Sequence, residues 1–372
     1  MKRLLMLLLV RTILPLYGEP LFSPAWGFKI DLPEGYEYTN GNGRDRFSFE
    51  SPEGAQFDLA VYSGRSLKDL VDDTVKRLKN RGELSYFEYN GKNAALVELK
   101  FSNLEGWALC VELENREKAA NSPLLLALSY GQAGNRNLDI LHMSALDSVA
   151  PSGAERRYPG PVIEFGYPRG EAKKTALALP GLEAWIREHD AEAAQALVDR
   201  EFAVLRRSLF AENWQEAWIR FYRAIYRDSW DRLRDAAFQL ERNWNVPPVE
   251  NRDLARKALE WVQGFRYERD LMGSDFVNLV SAVTEGRGDC DSRALLWAIL
   301  LAQADVPAAI MVSREHSHAM GLADLPGAGA RFEAGGTKWL VAETTAAVDI
   351  GLIGKDFSDT ESWLGVVFGQ EE

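Results

Sequence analysis

The chain has 372 residues, enough for two or three domains and more than one hydrophobic core. Its 46% apolar and 26% charged content is ordinary for a globular protein. Lys and Arg number 43 against 55 Asp and Glu, and the net charge of −12 speaks against general nucleic-acid binding and offers no attraction to an anionic membrane.

Residues 1–20 read as a signal peptide. Lys2 and Arg3 precede the apolar run Leu4–Val10, and Leu16-Tyr17-Gly18 stands where a cleavage site would follow. Arg11 interrupts that run, so a start assigned too early, or a membrane-anchored segment of a cytoplasmic protein, is the competing reading. No cysteine follows to support a bacterial lipoprotein anchor, and no other apolar span approaches the ~20 residues of a membrane helix. The expectation is an exported bacterial protein, periplasmic or secreted, without stable membrane insertion once the signal is removed.

Residues 21–150 are predicted to form an α+β domain. Phe28–Asp31, Arg46–Glu50, Gln56–Tyr62, Leu84–Tyr89, Ala94–Lys100, Trp107–Glu114 and Leu124–Tyr130 have strand character. Turns are marked by Asn40-Gly41, Asn42-Gly43, Pro52-Glu53-Gly54 and Asn90-Gly91. Ser66–Arg81 opens on a capping serine and carries Leu67, Leu70, Val71, Val75 and Leu78 at helical spacing; Asn137–Val149 reads as a closing helix. Cys110 and Cys290 fall in different predicted domains, which speaks against a structural disulfide. Cys110 has no histidine nearby and reads as packing, and His142 reads as a core or surface histidine rather than a ligand. The opening Phe28-Lys29-Ile30-Asp31-Leu32-Pro33-Glu34-Gly35, the helix after three strands and the closing Leu146-Asp147-Ser148 resemble PsbP-like domains. That resemblance implies an antiparallel-sheet α/β sandwich serving as an adaptor or stabiliser.

Residues 151–176, rich in Pro and Gly, read as a linker, and residues 177–248 as a helical connector. Asp190–Ala211 and Asn213–Asn243 have helical periodicity, with Glu212 or Asn213 as cap. The stripe Trp214, Trp218, Phe221, Tyr222, Ile225 and Leu233 has the spacing of one buried helix face; an aromatic ligand box is the competing reading. Arg220, Arg223, Arg227 and Arg234, interspersed with Asp228, Asp231 and Asp235, read as a solvated, salt-bridged face.

Pro247-Pro248 ends that block, and residues 249–372 form the last predicted domain. Asp253–Gly264 is a short amphipathic helix followed by Phe265-Arg266-Tyr267-Glu268. After Cys290 the run Ala294–Ala302 is apolar on every face, which predicts a helix buried all round with Cys290 at its N-terminus. Unpaired amides and the helix dipole favour a thiolate there, while Asp289 and Asp291 oppose it. Asp305-Val306-Pro307 breaks the helix before three strands, Ala308–Val312, His318–Leu322 and Lys338–Glu343, the last two joined by the loop Pro326–Gly336. Alternation puts Glu343 on one face with Trp339 and Val341, where a carboxylate needs a partner such as His318. The tail Ala346–Glu372 is too apolar for a disordered segment and should pack on the same domain.

These elements supply a thiol, an imidazole and a carboxylate in that order. His316 and His318 share a strand face, so periodicity does not separate them, and two of the chain's four histidines lie in this tripeptide. Gly288-Asp289-Cys290, His318-Ala319 and Glu343-Thr344-Thr345 resemble the G-x-C, H-A and D-x-T elements of the transglutaminase-like superfamily, of papain-like fold. Glu343 stands where most members carry Asp, and Met320 where an aromatic residue is usual. The resemblance favours His318 over His316 and implies Cys290 as nucleophile, His318 as base and Glu343 as the residue orienting it. It further implies a protein or peptide substrate, acyl transfer or hydrolysis through a thioester, and no cofactor. Trp261 is the candidate for the tryptophan that assists the oxyanion hole in some members. A catalytically inactive binding module of the same fold is one alternative; a zinc site built from Cys290, His316, His318 and Glu343 is another. No calcium loop lies near the site. Oligomeric state leaves no mark in the sequence.

Overall fold

The computed structural model describes residues 20–116, 118–244, 250–269 and 274–368. The predicted signal segment, up to residue 19, and the Pro247-Pro248 break lie outside the described residues. The fold is α+β, and its seven-stranded and five-stranded sheets are antiparallel. The chain divides into two compact units, Met1–Leu146 and Asp147–Glu372.

In the first unit β1 (Leu21–Phe22) pairs with β2 (Lys29–Ile30). A seven-stranded sheet follows, built from β3 (Glu37–Gly41), β4 (Arg46–Glu50), β5 (Gln56–Tyr62), β6 (Leu84–Tyr89), β7 (Lys92–Phe101), β8 (Leu104–Glu112) and β9 (Leu124–Gln132). Its order is β3-β4-β5-β9-β8-β7-β6, and every pairing is antiparallel. Asn40-Gly41, expected in a turn, belongs to β3, a strand with every residue exposed and therefore no alternating apolar signal. α1 (Leu67–Leu78) begins where the Ser66 hydroxyl accepts from the Asp69 amide. It covers the sheet face made by Ala95, Val97, Leu99, Ala108, Cys110, Leu124 and Leu126. α2 (Asp139–Asp147) lies on the opposite face, where His142 Nδ1 meets Ser129 Oγ at 2.9 Å.

The second unit starts at Asp147 and takes in the whole stretch expected to be a linker. Gly160 precedes Pro161 at the first position of α3 (Pro161–Gly166), where proline's missing N–H costs nothing, and β10 (Ala172–Ala176) forms a hairpin with β11 (Glu183–Arg187). Four helices follow: α4 (Asp190–Ser208), α5 (Trp214–Arg232), α6 (Arg234–Trp244) and α7 (Asn251–Gln263). Then come β12 (Arg266–Tyr267), α8 (Leu279–Glu285), β13 (Arg287–Gly288) and α9 (Cys290–Gln303). The closing sheet has the order β16-β17-β15-β14-β18, all antiparallel, from β14 (Ala308–Ser313), β15 (His318–Ala323), β16 (Arg331–Ala334), β17 (Thr337–Ala342) and β18 (Leu364–Val367).

One apolar core runs from Ile163 through the helices to Phe368, so the expected linker, connector and C-terminal domain are a single folded body. α9 is the centre of that core and rests on β14 and β15. The approach is close: a Cβ at Gly321 of β15 would meet the Trp297 ring at 2.4 Å. Met311, Met320, Leu322, Trp339 and Val341 point to the other face, which the tail covers with Trp363.

Of the charges expected on a solvated face, Arg234 is exposed and pairs with Asp231 at 2.7 Å, but Arg220 and Asp228 are buried. Arg220 bonds Glu201 at 2.8 Å, and Arg232 bonds Asp228 at 2.9 Å and Asp190 at 2.7 Å, all of them buried. Arg227 donates to the carbonyls of Asp147, Ser148, Val149, Glu155 and Tyr158. These guanidinium groups meet carboxylates and carbonyls from elements distant in sequence, which is what allows charge to be buried.

Candidate active site

Cys290 opens α9, and several interactions fix the chain around it. Asp289 caps the helix by accepting from the Ser292 amide at 2.8 Å, and Ser292 Oγ accepts from the Val277 amide at 2.9 Å. Arg293 is buried and donates to Gly288 O at 3.1 Å and Phe265 O at 2.6 Å, tying the turn before the cysteine to the start of β12. β12 and β13 pair in parallel, with Tyr267 opposite Gly288. The Tyr267 hydroxyl and the Ala319 amide lie near the Cys290 sulfur and favour its thiolate. First-turn amides of a helix have no intrahelical partner, and Cys290 is the first residue of α9.

His318 opens β15, and Glu343 follows the last residue of β17. The imidazole Nε2 lies 2.8 Å from Glu343 Oε2. Glu343 Oε1 accepts from the Thr345 amide at 2.7 Å and the Thr345 hydroxyl at 2.6 Å, while Gln263 Nε2 donates to Glu343 O at 2.8 Å and Val348 O at 2.9 Å. Burial alone would raise this carboxyl, but the bonds from His318 and Thr345 outweigh it and hold it below its ordinary value. An ionised Glu343 accepts a hydrogen bond from Nε2–H, which makes Nδ1 the ring nitrogen that carries a lone pair.

The geometry separates the two histidines. His316 Nε2 is buried with no hydrogen-bond partner, and its ring packs 5.5 Å from Trp363 and 5.3 Å from Phe357. His318 is the one paired with a carboxylate, and its ring stacks on Phe357 at 5.1 Å. Among the described residues no group of three or more His, Cys, Asp or Glu side chains is arranged to hold a metal ion, so the proposed zinc set of Cys290, His316, His318 and Glu343 is not assembled. Trp261 is directed elsewhere: its indole donates to Ala178 O at 2.9 Å and packs on Trp244 and Phe265. Tyr267, six residues on, is the aromatic residue that acts on the Cys290 thiol.

Cys290, Asp289, Asp291 and His318 line one cavity of about 320 Å³. Its far wall comes from α4 and α5, through Phe202, Leu205, Leu209, Trp218, Phe221 and Tyr222. Half of the stripe read as core also lines this cavity, and Tyr222 donates to Asp291 at 3.0 Å. No local signal separates a wall residue from a core residue, since both are apolar at helical spacing.

Electrostatics at the sulfur run against the effect expected of a helix N-terminus. Burial pushes the Cys290 thiol well up, Asp291 and Asp289 add to it, and the Ala319 amide and Tyr267 hydroxyl only partly oppose them. At 6% exposure, desolvation of a thiolate beside two carboxyls is the larger effect. Asp289 is itself raised by burial and by Asp291. Tyr267 is pushed up to about 12, by burial and then by Cys290. Burial and the two carboxyls together favour the neutral thiol over the thiolate. No family model matches the chain, and no curated protein matches its sequence.

Proposed function

We propose that the second unit is a cysteine enzyme acting on a carboxamide or peptide bond through a thioester. The observation that carries this reading is the His318 Nε2–Glu343 Oε2 contact of 2.8 Å on the wall of the cavity that holds Cys290 at a helix start. The contact leaves Nδ1 as base. As Sγ attacks the carbonyl carbon, the thiol proton passes to Nδ1, and the imidazolium that forms is held by Glu343. The carbonyl oxygen takes the developing charge, with the Cys290 amide and the Tyr267 hydroxyl as donors. The imidazolium then protonates the leaving amine; water or a second amine releases the acyl group, giving a peptidase in the first case and a transglutaminase in the second. A neutral resting thiol suits this order, because the base removes the proton during attack.

The placement of the three motifs at a helix start, a strand start and a strand end supports the resemblance to the transglutaminase-like superfamily. Export through residues 1–20, and an adaptor role for the first unit, belong to the same proposal. A small activated ester such as p-nitrophenyl acetate tests it directly. Acetyl transfer to Cys290, mapped by mass spectrometry and lost in His318→Ala, is the expected result; acylation unaffected by that substitution overturns the assignment. A second reading, a binding module without catalysis, is favoured by the raised thiol and near-complete burial of Cys290, and an absence of acyl transfer would select it.

A further inference from the structure

We propose that the cavity beside Cys290 selects an acyl donor with a bulky apolar side chain, a specificity that rests on the thioester reading above. Three observations converge on it.

The wall facing the sulfur is built by α4, α5 and the end of β14, through Phe202, Leu205, Leu209, Trp218, Phe221 and Val312. Leu205, Phe221 and Val312 are buried, while Phe202, Leu209 and Trp218 are only partly covered. An apolar surface thus runs outward from the reacting atom.

The charged groups of the same cavity already hold hydrogen bonds, and two of them, Arg269 and Asp275, pair with each other. Arg269 Nε bonds Asp275 at 2.9 Å, Asp291 accepts from Tyr222 at 3.0 Å, and Asp289 accepts from Ser292 at 2.8 Å. Arg314 donates to Leu209 O at 3.1 Å, and its guanidinium lies 5.3 Å from the centre of the Phe210 ring. The hydroxyls of Ser274 and Ser313 accept from the amides of Phe276 and His316. A cationic or anionic substrate side chain would have to displace these hydrogen bonds as it loses its water, which is costly. An apolar side chain would cover the surface that the protein leaves bare.

The space also fits. About 320 Å³ lies at the small end of ligand cavities and accommodates one large side chain next to the scissile group rather than an extended ligand.

The test uses chloromethyl ketones of Leu, Phe, Ala, Lys and Asp, in which the attacking sulfur displaces chloride and the bond formed marks Cys290. Rates are read by mass spectrometry and divided by the rate with iodoacetamide, which carries no side chain. The expected result is a preference of about 10- to 100-fold for Leu and Phe over Ala, with Lys and Asp at or below Ala. Leu209→Asp, at the partly covered rim, should move the ratio toward the Lys reagent. Equal normalised rates, or faster reaction with Lys or Asp, would overturn the specificity while leaving the nucleophile assignment intact. If iodoacetamide modifies Cys290 at the same rate with and without His318, the thioester reading fails and the specificity falls with it.

Discussion

Glu343→Gln isolates the step on which the mechanism turns. The substitution keeps the shape of the side chain, and its amide oxygen can still accept from the Thr345 amide and hydroxyl, which lie at 2.7 and 2.6 Å from the wild-type oxygen. The amide nitrogen then falls toward His318 Nε2, 2.8 Å from the wild-type position. Two N–H groups cannot face each other, so the favoured tautomer is reversed: Nε2 becomes the acceptor and Nδ1 carries the proton. A protonated Nδ1 cannot take the proton of Cys290. The stability cost is that of replacing charged by neutral hydrogen bonds, about 1–2 kcal/mol. The rate cost is far larger, about 10²–10⁴-fold in acyl transfer to Cys290. Because the Glu343 carboxyl is held below its ordinary 4.5, the stability it contributes is present above that value and lost as pH falls through the folded value. The urea-midpoint gap between wild type and variant should therefore close in acid. A folded Glu343→Gln protein that acylates within tenfold of wild type would show that Glu343 does not orient the base.

Asp291→Asn removes the second-largest influence raising the Cys290 thiol, after burial, so the midpoint of Cys290 alkylation with pH should move down; an unmoved midpoint would mean that Asp291 is electrostatically remote. Arg232→Leu leaves Asp228 and Asp190 buried without their shared cation and should cost about 3–5 kcal/mol in urea unfolding, against a loss under 1 kcal/mol if that network were solvated. Gly321→Ala drives a methyl into the Trp297 ring, with an expected loss of about 1–3 kcal/mol, and slows acylation by displacing α9 from β15; unchanged melting would mean that helix and strand separate freely.

Much of this organisation is legible in the sequence because it is local. Alternating residues mark β4, β5 and β6, Ser66 marks the start of α1, and an all-apolar run marks α9 behind its cysteine. The His318–Glu343 pairing follows from strand alternation together with the cost of an unpartnered carboxylate. What stayed hidden depends on partners distant in the chain. Arg220 and Arg232 look like surface charges until Glu201 and Asp190 come to them from α4. Pro161 looks like a linker residue because proline opens helices as readily as it breaks them. Trp261 and Tyr267 are both aromatic and close in sequence, and only the turn after α7 decides which one faces Cys290. The raised thiol was also out of reach, since the degree of burial is set by α4 and α5, some 70 to 90 residues upstream.

Alkylation by iodoacetamide across pH reads out whether His318 activates Cys290. Cys110, buried in the first unit with its thiol pushed up to about 12, serves as the internal reference in the same sample. The account predicts that near pH 7 Cys290 reacts at least about tenfold faster than in His318→Ala, the size of a general-base contribution at its low end, with Cys110 unchanged between the two proteins. Equal rates for Cys290 with and without His318, in proteins that melt alike, would contradict it.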